Sequence, residues 1–133
     1  MTSYLARAAA AALIGLAALA SPAKADIKDY QFQLLDPTVT TGRDRIVTVK
    51  LVNKATGKVV PDAVIFATRL DMAPDGMAEM TTKIAAEPGS TEPGLYRFKA
   101  TFGMDGRWLL SLGAKVQGET GTVEGKLVIT STK

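Results

Sequence analysis

The sequence has 133 residues, a formal net charge of +3, and no cysteine or histidine. That length suits one domain, and the missing residue types exclude thiolate catalysis, cysteine zinc sites, iron–sulfur clusters and histidine ligands. Any metal site must therefore use thioether, carboxylate, amide or main-chain ligands. The basic residues form no cluster with interleaved aromatics, so nothing in the sequence indicates nucleic-acid binding.

The N-terminal segment has the pattern of a secretory signal peptide. A short start with one basic residue, Arg7, precedes an apolar run over residues 8–20, and a serine–proline pair ends that run. Ala23 and Ala25 place small side chains where a signal peptidase reads them, so we predict cleavage before Asp26. A signal anchor is the competing interpretation, but the run is shorter than the roughly 20 residues that span a bilayer.

The predicted organisation is a signal peptide over residues 1–25 and one exported domain over residues 26–133. Removal of Arg7 and Lys24 lowers the formal charge from +3 to +1, so the basic character belongs mostly to the precursor. No second apolar segment follows, and we therefore expect no transmembrane segment after cleavage. Without disulfides, the domain must be stabilised by its hydrophobic core.

Beyond residue 26, apolar and polar side chains alternate with a period of two, which is typical of half-buried β-strands. Turn-forming segments separate these stretches. No stretch beyond residue 26 has a convincing helical pattern. The predicted strands cover residues 30–34, 45–53, 63–70, 80–86, 95–102, 108–116 and 122–130. Strands with one apolar and one polar face favour antiparallel sheets. About seven of them predict an all-β, immunoglobulin-like antiparallel β-sandwich, with a small barrel as the alternative.

The largest side chains of the predicted inward faces are aromatic. Alternation places Trp108 at the head of one inward series and Phe98 and Phe102 on the inward face of another. Phe66 falls into a third inward series with Val64. We therefore expect these four aromatic side chains to contribute most to the core.

Catalytic chemistry has little support in this sequence. With no cysteine or histidine, a serine would need a lysine as its base, and Ser90, Ser111 and Ser131 have no motif around them. Ser90 is predicted in a loop and Ser131 in the C-terminal tail. The acidic residues are scattered through turns rather than paired across a cleft, and no glycine-rich phosphate loop precedes a helix. We therefore expect that the protein is not an enzyme.

The stretch "RLDMAPDGMAEM", residues 69–80, holds three of the five methionines, Met72, Met77 and Met80, around one tight turn. Proline and glycine fit the second and fourth positions of a β-turn. Thioethers are soft ligands that select Cu(I) or Ag(I) and need no deprotonation. Met104 lies in a second turn, before Trp108, and adds a fourth sulfur if both turns occupy one end of the sandwich.

Packing is the alternative explanation for these methionines. Methionine fills gaps in cores, and Met72 continues the inward series that ends at Leu70, whereas Met77 has the weakest structural reason to be there. The acidic residues of this stretch, Asp71, Asp75 and Glu79, are expected to stay solvated. Arg69 and Arg107, which border the two turns, are expected to be solvated or paired with nearby aspartates.

Several segments resemble the YtkA-like/FixH-like family of small exported β-sandwich domains. They are residues 59–64, the methionine turn, "PGLYRFKATFGMDGRWLLSL" at residues 93–112, and the terminal strand. The resemblance implies an envelope protein in copper or silver handling, beside a heavy-metal efflux system or the assembly of a cbb3-type oxidase. It carries forward, as candidate metal ligands, Met72, Met77, Met80 and Met104. FixH itself looks membrane-anchored, so a soluble periplasmic role is favoured here.

These inferences give two expectations for function. The first is a periplasmic Cu(I)-binding or Ag(I)-binding protein that uses the methionine cluster and serves a membrane or periplasmic metal-transport or oxidase-assembly partner. The second is an interaction module without metal, in which one end of the sandwich or an open sheet edge docks a membrane partner complex.

Overall fold

The structure, a computed structural model, describes residues 27–88 and 92–133. It confirms the predicted all-β class, because ten strands in these residues form two packed sheets. The strands are β1 (Tyr30–Leu34), β2 (Thr38–Thr40), β3 (Gly42–Asn53), β4 (Lys58–Val59), β5 (Val64–Met72), β6 (Met77–Thr82), β7 (Ile84–Ala86), β8 (Leu95–Phe102), β9 (Gly106–Lys115) and β10 (Val123–Thr132). The predicted signal peptide, residues 1–25, lies outside the described residues.

The two sheets have five strands each. Sheet I has the order β1-β3-β8-β7, and β4 pairs with the end of β3. Sheet II has the order β2-β10-β9-β5-β6. Pairing is antiparallel throughout, except that β2 runs parallel to β10 at one edge of sheet II. The fold is therefore the immunoglobulin-like sandwich that the alternation predicts. Within the described residues, no helix has the length and apolarity that a membrane crossing requires.

The core lies between the inner faces of the two sheets. Phe98 and Phe102 of β8 face Trp108 and Leu110 of β9, and all four side chains are buried. The rings of Phe102 and Trp108 meet edge to face, with centroids 5.6 Å apart and an interplanar angle of 87°. This geometry is favourable for an aromatic pair. The expected core positions of Trp108, Phe98 and Phe102 are thus confirmed.

Phe66 is not in the core, and the prediction that placed it there is wrong. Its side chain is 57% exposed, because the register between β5 and β9 shifts between Ile65 and Ala67. Ile65 pairs with the buried Ala114, so it faces inward. The bulge then turns Phe66 outward, where its ring lies over Gly113. One extra residue in a strand reverses the alternation on which the prediction depended.

Residues 80–86, predicted as one strand, belong to two. β6 pairs with β5 in sheet II, and β7 pairs with β8 in sheet I. The chain crosses between the sheets at Lys83, and the Thr82 hydroxyl anchors the crossing by donating to the Thr101 carbonyl at 2.8 Å. Two short strands, β2 and β4, were not predicted.

Candidate functional site

The methionine turn is a tight reversal between β5 and β6. Ala73–Asp75 forms one turn of 3-10 helix, and the Gly76 N–H donates to the Ala73 carbonyl at 2.9 Å. Gly76 has φ 77°, in the left-handed region that glycine adopts without strain. The hydrogen bond from Gly76 to Ala73 confirms the predicted β-turn, in which proline has the second position and glycine the fourth.

Met72 and Met77 face each other across this turn. They are direct partners in the β5–β6 register, and such pairs hold their Cβ atoms roughly 4.5–5.5 Å apart. Met72 is only 1% exposed and belongs to the core, which is the location that the packing explanation expects. Met77 is partly buried against the same core. The structure therefore places one thioether beneath the surface and a second one beside it.

Met80 and Met104 are open to solvent. The register shift between Asp71 and Met72 leaves residues 78–80 bulged out of the β5–β6 ladder, and the Met80 side chain is 42% exposed. Met104 lies in the turn between β8 and β9 and is 39% exposed. Among the described residues, no group of three or more acidic, histidine or cysteine side chains is placed to hold a metal ion.

Hydrogen bonds and an ion pair join the two methionine-bearing turns, and we call these contacts the clamp. The Asp75 carboxylate accepts hydrogen bonds from the Arg107 main-chain N–H and from its Nε, both at 2.8 Å. A guanidinium N–H of Arg107 also donates to the Pro74 carbonyl at 2.7 Å. The methyl group of Met72 lies close to Gly106. Residues 72–80 and 103–107 therefore occupy one end of the sandwich, which we call the methionine end.

A buried hydrogen-bond network fixes the main chain at Met104. Its carbonyl accepts from the Ser131 hydroxyl at 2.7 Å and from the Trp108 indole N–H at 3.3 Å. The same indole N–H is 3.2 Å from the Ser131 oxygen. Ser131, predicted in a tail, is instead a buried residue of β10. The network holds the turn that presents the Met104 thioether.

Asp71 is another residue whose environment differs from the prediction. It is buried rather than solvated, and it accepts from Arg69 Nε at 2.7 Å and from the Ala73 N–H at 2.9 Å. Arg69 also donates to the Ala78 carbonyl at 3.0 Å, so this ion pair braces both sides of the turn. Arg69 and Arg107 each pair with an aspartate, as expected.

The clamp between the turns is expected to open in acid. Hydrogen bonds from the Arg107 main-chain N–H, and then from its side chain, hold the pKa of Asp75 below its usual value. A carboxyl group whose pKa is lower in the folded state than in the unfolded state stabilises the fold at pH values above its unfolded-state pKa. This contribution is lost as pH falls through the folded-state pKa. The Arg107 amide resonance in an NMR titration from pH 7 should therefore shift with a midpoint below the usual pKa of an aspartate.

Two variants make this titration specific. Asp75→Asn should remove the acidic transition of the Arg107 amide. Asp105→Asn, which neutralises an exposed carboxylate in the neighbouring turn, should leave the transition in place. A transition that survives Asp75→Asn would show that another group controls the Arg107 amide.

Comparison with known protein families finds a match for this sequence. A family model described as YtkA-like matches residues 24–113. The chain belongs to the YtkA-like family. The match confirms the resemblance to YtkA-like proteins; it includes all four candidate methionines and ends within β9. Comparison with curated proteins finds no match.

Three solved structures are similar to this YtkA-like chain. The Lin-41 filamin domain is 18% identical, with 79% of this chain and 97% of that one covered and a TM-score of 0.43. The ZirS C-terminal domain is 14% identical, with 81% and 68% covered and a TM-score of 0.46. A conjugative transposon lipoprotein from Bacteroides eggerthii DSM 20697 is 13% identical, with 79% and 98% covered and a TM-score of 0.35.

Proposed function

We propose that this YtkA-like protein binds Cu(I), or the chemically similar Ag(I), at its methionine end. In this proposal it works in the periplasm, where it buffers the metal or hands it to an efflux or oxidase-assembly system. The observation that supports the proposal best is the cross-strand pairing of Met72 with Met77 beside the clamped Met104 turn. Two thioethers of one hairpin and one of a neighbouring turn are thus available at the same end of the fold.

The chemistry of this donor set selects soft cations. Thioether sulfur is a weak ligand for hard ions such as Mg²⁺ or Ca²⁺, and a good one for Cu(I). Because thioethers carry no proton to lose, the proposed site would hold metal at mildly acidic pH as well as at neutral pH. The partly exposed Met77, Met80 and Met104 would admit the ion from solvent, while the buried Met72 would contribute from the core side.

This division of roles predicts a graded series of variants. Met77→Leu is expected to weaken Cu(I) binding by at least about tenfold, since removal of even an outer-shell partner of a metal typically costs 10–100-fold. Changing Met77, Met80 and Met104 together to leucine should abolish binding. Leucine keeps most of the hydrophobic volume and removes the sulfur. The measurement is an anaerobic Cu(I) titration of the purified protein against a competing chelator.

Two controls accompany the titration. Thermal unfolding of each variant in the absence of metal shows whether the fold survives, and a parallel Zn²⁺ titration tests selectivity for soft ions. The copper proposal fails if the parent protein does not compete for Cu(I), or if the folded triple variant binds as well as the parent. The alternative function, docking of a membrane partner complex without metal, would then be the one to pursue.

A further inference from the structure

The crossing at Lys83 leaves two strand edges open. β6 pairs only with the last three residues of β5, Leu70 to Met72. β7 lies in the other sheet. Within residues 27–88 and 92–133, the edge of β5 from Val64 to Arg69 that faces away from β9 therefore has no strand hydrogen-bonded to it, although β7 of the other sheet lies near β5. The outer edge of β7 is open in the same way. An unpaired edge presents main-chain N–H and C=O groups in register for another strand.

A cleft of about 620 Å³ lies between these edges, at the opposite end of β5 from Met72. We call it the edge cleft. Ile65, Ala86, Tyr96 and the buried Phe98 contribute to its lining. Thr68 pairs with the inward-facing Leu112 but is exposed, because sheet I does not cover this part of β5. The edge of β5 is thus accessible, and an additional strand could pair with it.

One wall of the edge cleft is held rigid before any ligand arrives. The Tyr96 hydroxyl donates to the Val60 carbonyl at 2.7 Å and accepts from the Ala63 N–H at 3.0 Å. Burial raises the pKa of Tyr96 above its usual value, which favours the neutral hydroxyl that donates to Val60. These bonds pin the segment that carries Asp62 to β8. A preformed wall reduces the entropy cost of binding.

Charge and apolar surface indicate what the edge cleft would take. Its described lining carries three acidic residues, Asp62, Glu87 and Glu92, and one basic residue, Arg97. Lys99 pairs with Glu87 at 3.4 Å, so Asp62 and Glu92 remain against Arg97 and the lining keeps a small acidic excess. On β5 itself, the large apolar side chains of Val64 and Phe66 are exposed. The complement is an extended chain with apolar side chains and a positive charge.

We propose that the edge cleft binds an extended segment of a partner protein that carries lysine or arginine, and that this segment adds as a strand to the free edge of β5. Main-chain hydrogen bonds supply affinity in such strand addition, and side-chain positions supply specificity. Asp62 and Glu92 select the basic residue of the segment. This docking function lies at the end opposite to the methionines and does not depend on metal.

The first test uses two labelled peptides of eight residues, each with alternating valine and threonine. One carries lysine at both ends and the other glutamate. In fluorescence anisotropy, the protein should bind the lysine peptide at least about threefold more tightly, as expected for partly exposed charge pairs. Asp62→Asn with Glu92→Gln should abolish this preference. Asp105→Asn, at the methionine end, should leave it unchanged.

The second test asks whether the peptide adds as a strand. N-methylation of alternate amides blocks one edge of the peptide, so only one of the two methylation patterns should abolish binding. Hydrogen exchange should show protection of amides within residues 64–69 on addition of the lysine peptide. The triple leucine variant of Met77, Met80 and Met104 should bind the peptide like the parent, which separates this proposal from the copper one.

Four outcomes would overturn the proposal. They are no saturable binding of the lysine peptide, equal binding of both methylated forms, protection at β7 instead of β5, and a dimer in sedimentation that is held by β5 without peptide. The last outcome would assign the edge to a second copy of this chain. If the Asp62→Asn, Glu92→Gln protein is unfolded by circular dichroism, Glu92→Gln alone should still reduce the preference for lysine.

Discussion

Replacing Phe98 with alanine is expected to lower the free energy of unfolding by about 3–5 kcal/mol. The Phe98 side chain is 2% exposed, and it lies in β8, between Val47 of β3 and Ala86 of β7 in sheet I. Its removal leaves a cavity that the surrounding sheets fill only in part, so both burial and packing are lost. Urea unfolding followed by the fluorescence of Trp108 measures the change.

Phe66 provides the matched control, because its residue type is the same and its position is not. The structure places its ring on the outer face of sheet II, over Gly113. Phe66→Ala is therefore expected to cost less than about 1 kcal/mol, the range of most surface substitutions. Equal losses for Phe66→Ala and Phe98→Ala would mean that β5 has no bulge and that Phe66 faces the core.

Replacing Gly106 with alanine is expected to cost about 2–4 kcal/mol. Gly106 has φ 141°, which a residue with a Cβ rarely adopts, and that Cβ would lie 2.6 Å from Met72 Cε and 2.8 Å from Asp75 Oδ2. Both contacts are with side-chain ends, but Met72 is buried and Arg107 holds Asp75. Relief of the clash therefore disrupts either the core or the clamp between the two turns.

Gly76→Ala separates the backbone contribution from the contact. Gly76 also has a positive φ, but apart from its two chain neighbours no residue has a heavy atom within 4 Å of its ideal Cβ position. Its replacement should cost about 1–2 kcal/mol, the typical penalty of a left-handed conformation. Gly106→Ala should in addition shift the Arg107 amide resonance. If the two variants lose the same stability and Gly106→Ala leaves that resonance unchanged, the close approach of Met72 and Asp75 to Gly106 contributes nothing.

Alternation along the chain predicts most of the strands and their inward faces. It gives β8 its observed bounds, and it places Phe98, Phe102 and Trp108 in the core. Failures occur where the period of two is interrupted. The bulge after Ile65 adds a residue to β5 and reverses Phe66, and no local signal marks it. β2 and β4 have three and two residues, which is too short for a period to be visible.

The candidate site is predictable in its chemistry and less so in its geometry. The turn between Met72 and Met77 follows from proline and glycine, which act locally. The clamp that joins Asp75 to Arg107 connects residues 32 positions apart, and such pairs depend on the complete fold. Asp71 instead has local partners, because Arg69 Nε and the Ala73 N–H, each two residues away, donate to its carboxylate. The polar character of an aspartate predicts exposure unless its partners are known.

The strand that closes the sandwich, β10, comes last in chain order among the described strands. β10 lies between β9 and β2 in sheet II, and it supplies the buried Val123, Ile129 and Ser131. Until its 10 residues are available, β2 has no neighbour in the sheet and one side of the core stays uncovered. Formation of the sandwich therefore requires β10 together with the strands that precede it. A chain in which β10 has not yet paired exposes apolar strands and is prone to aggregation.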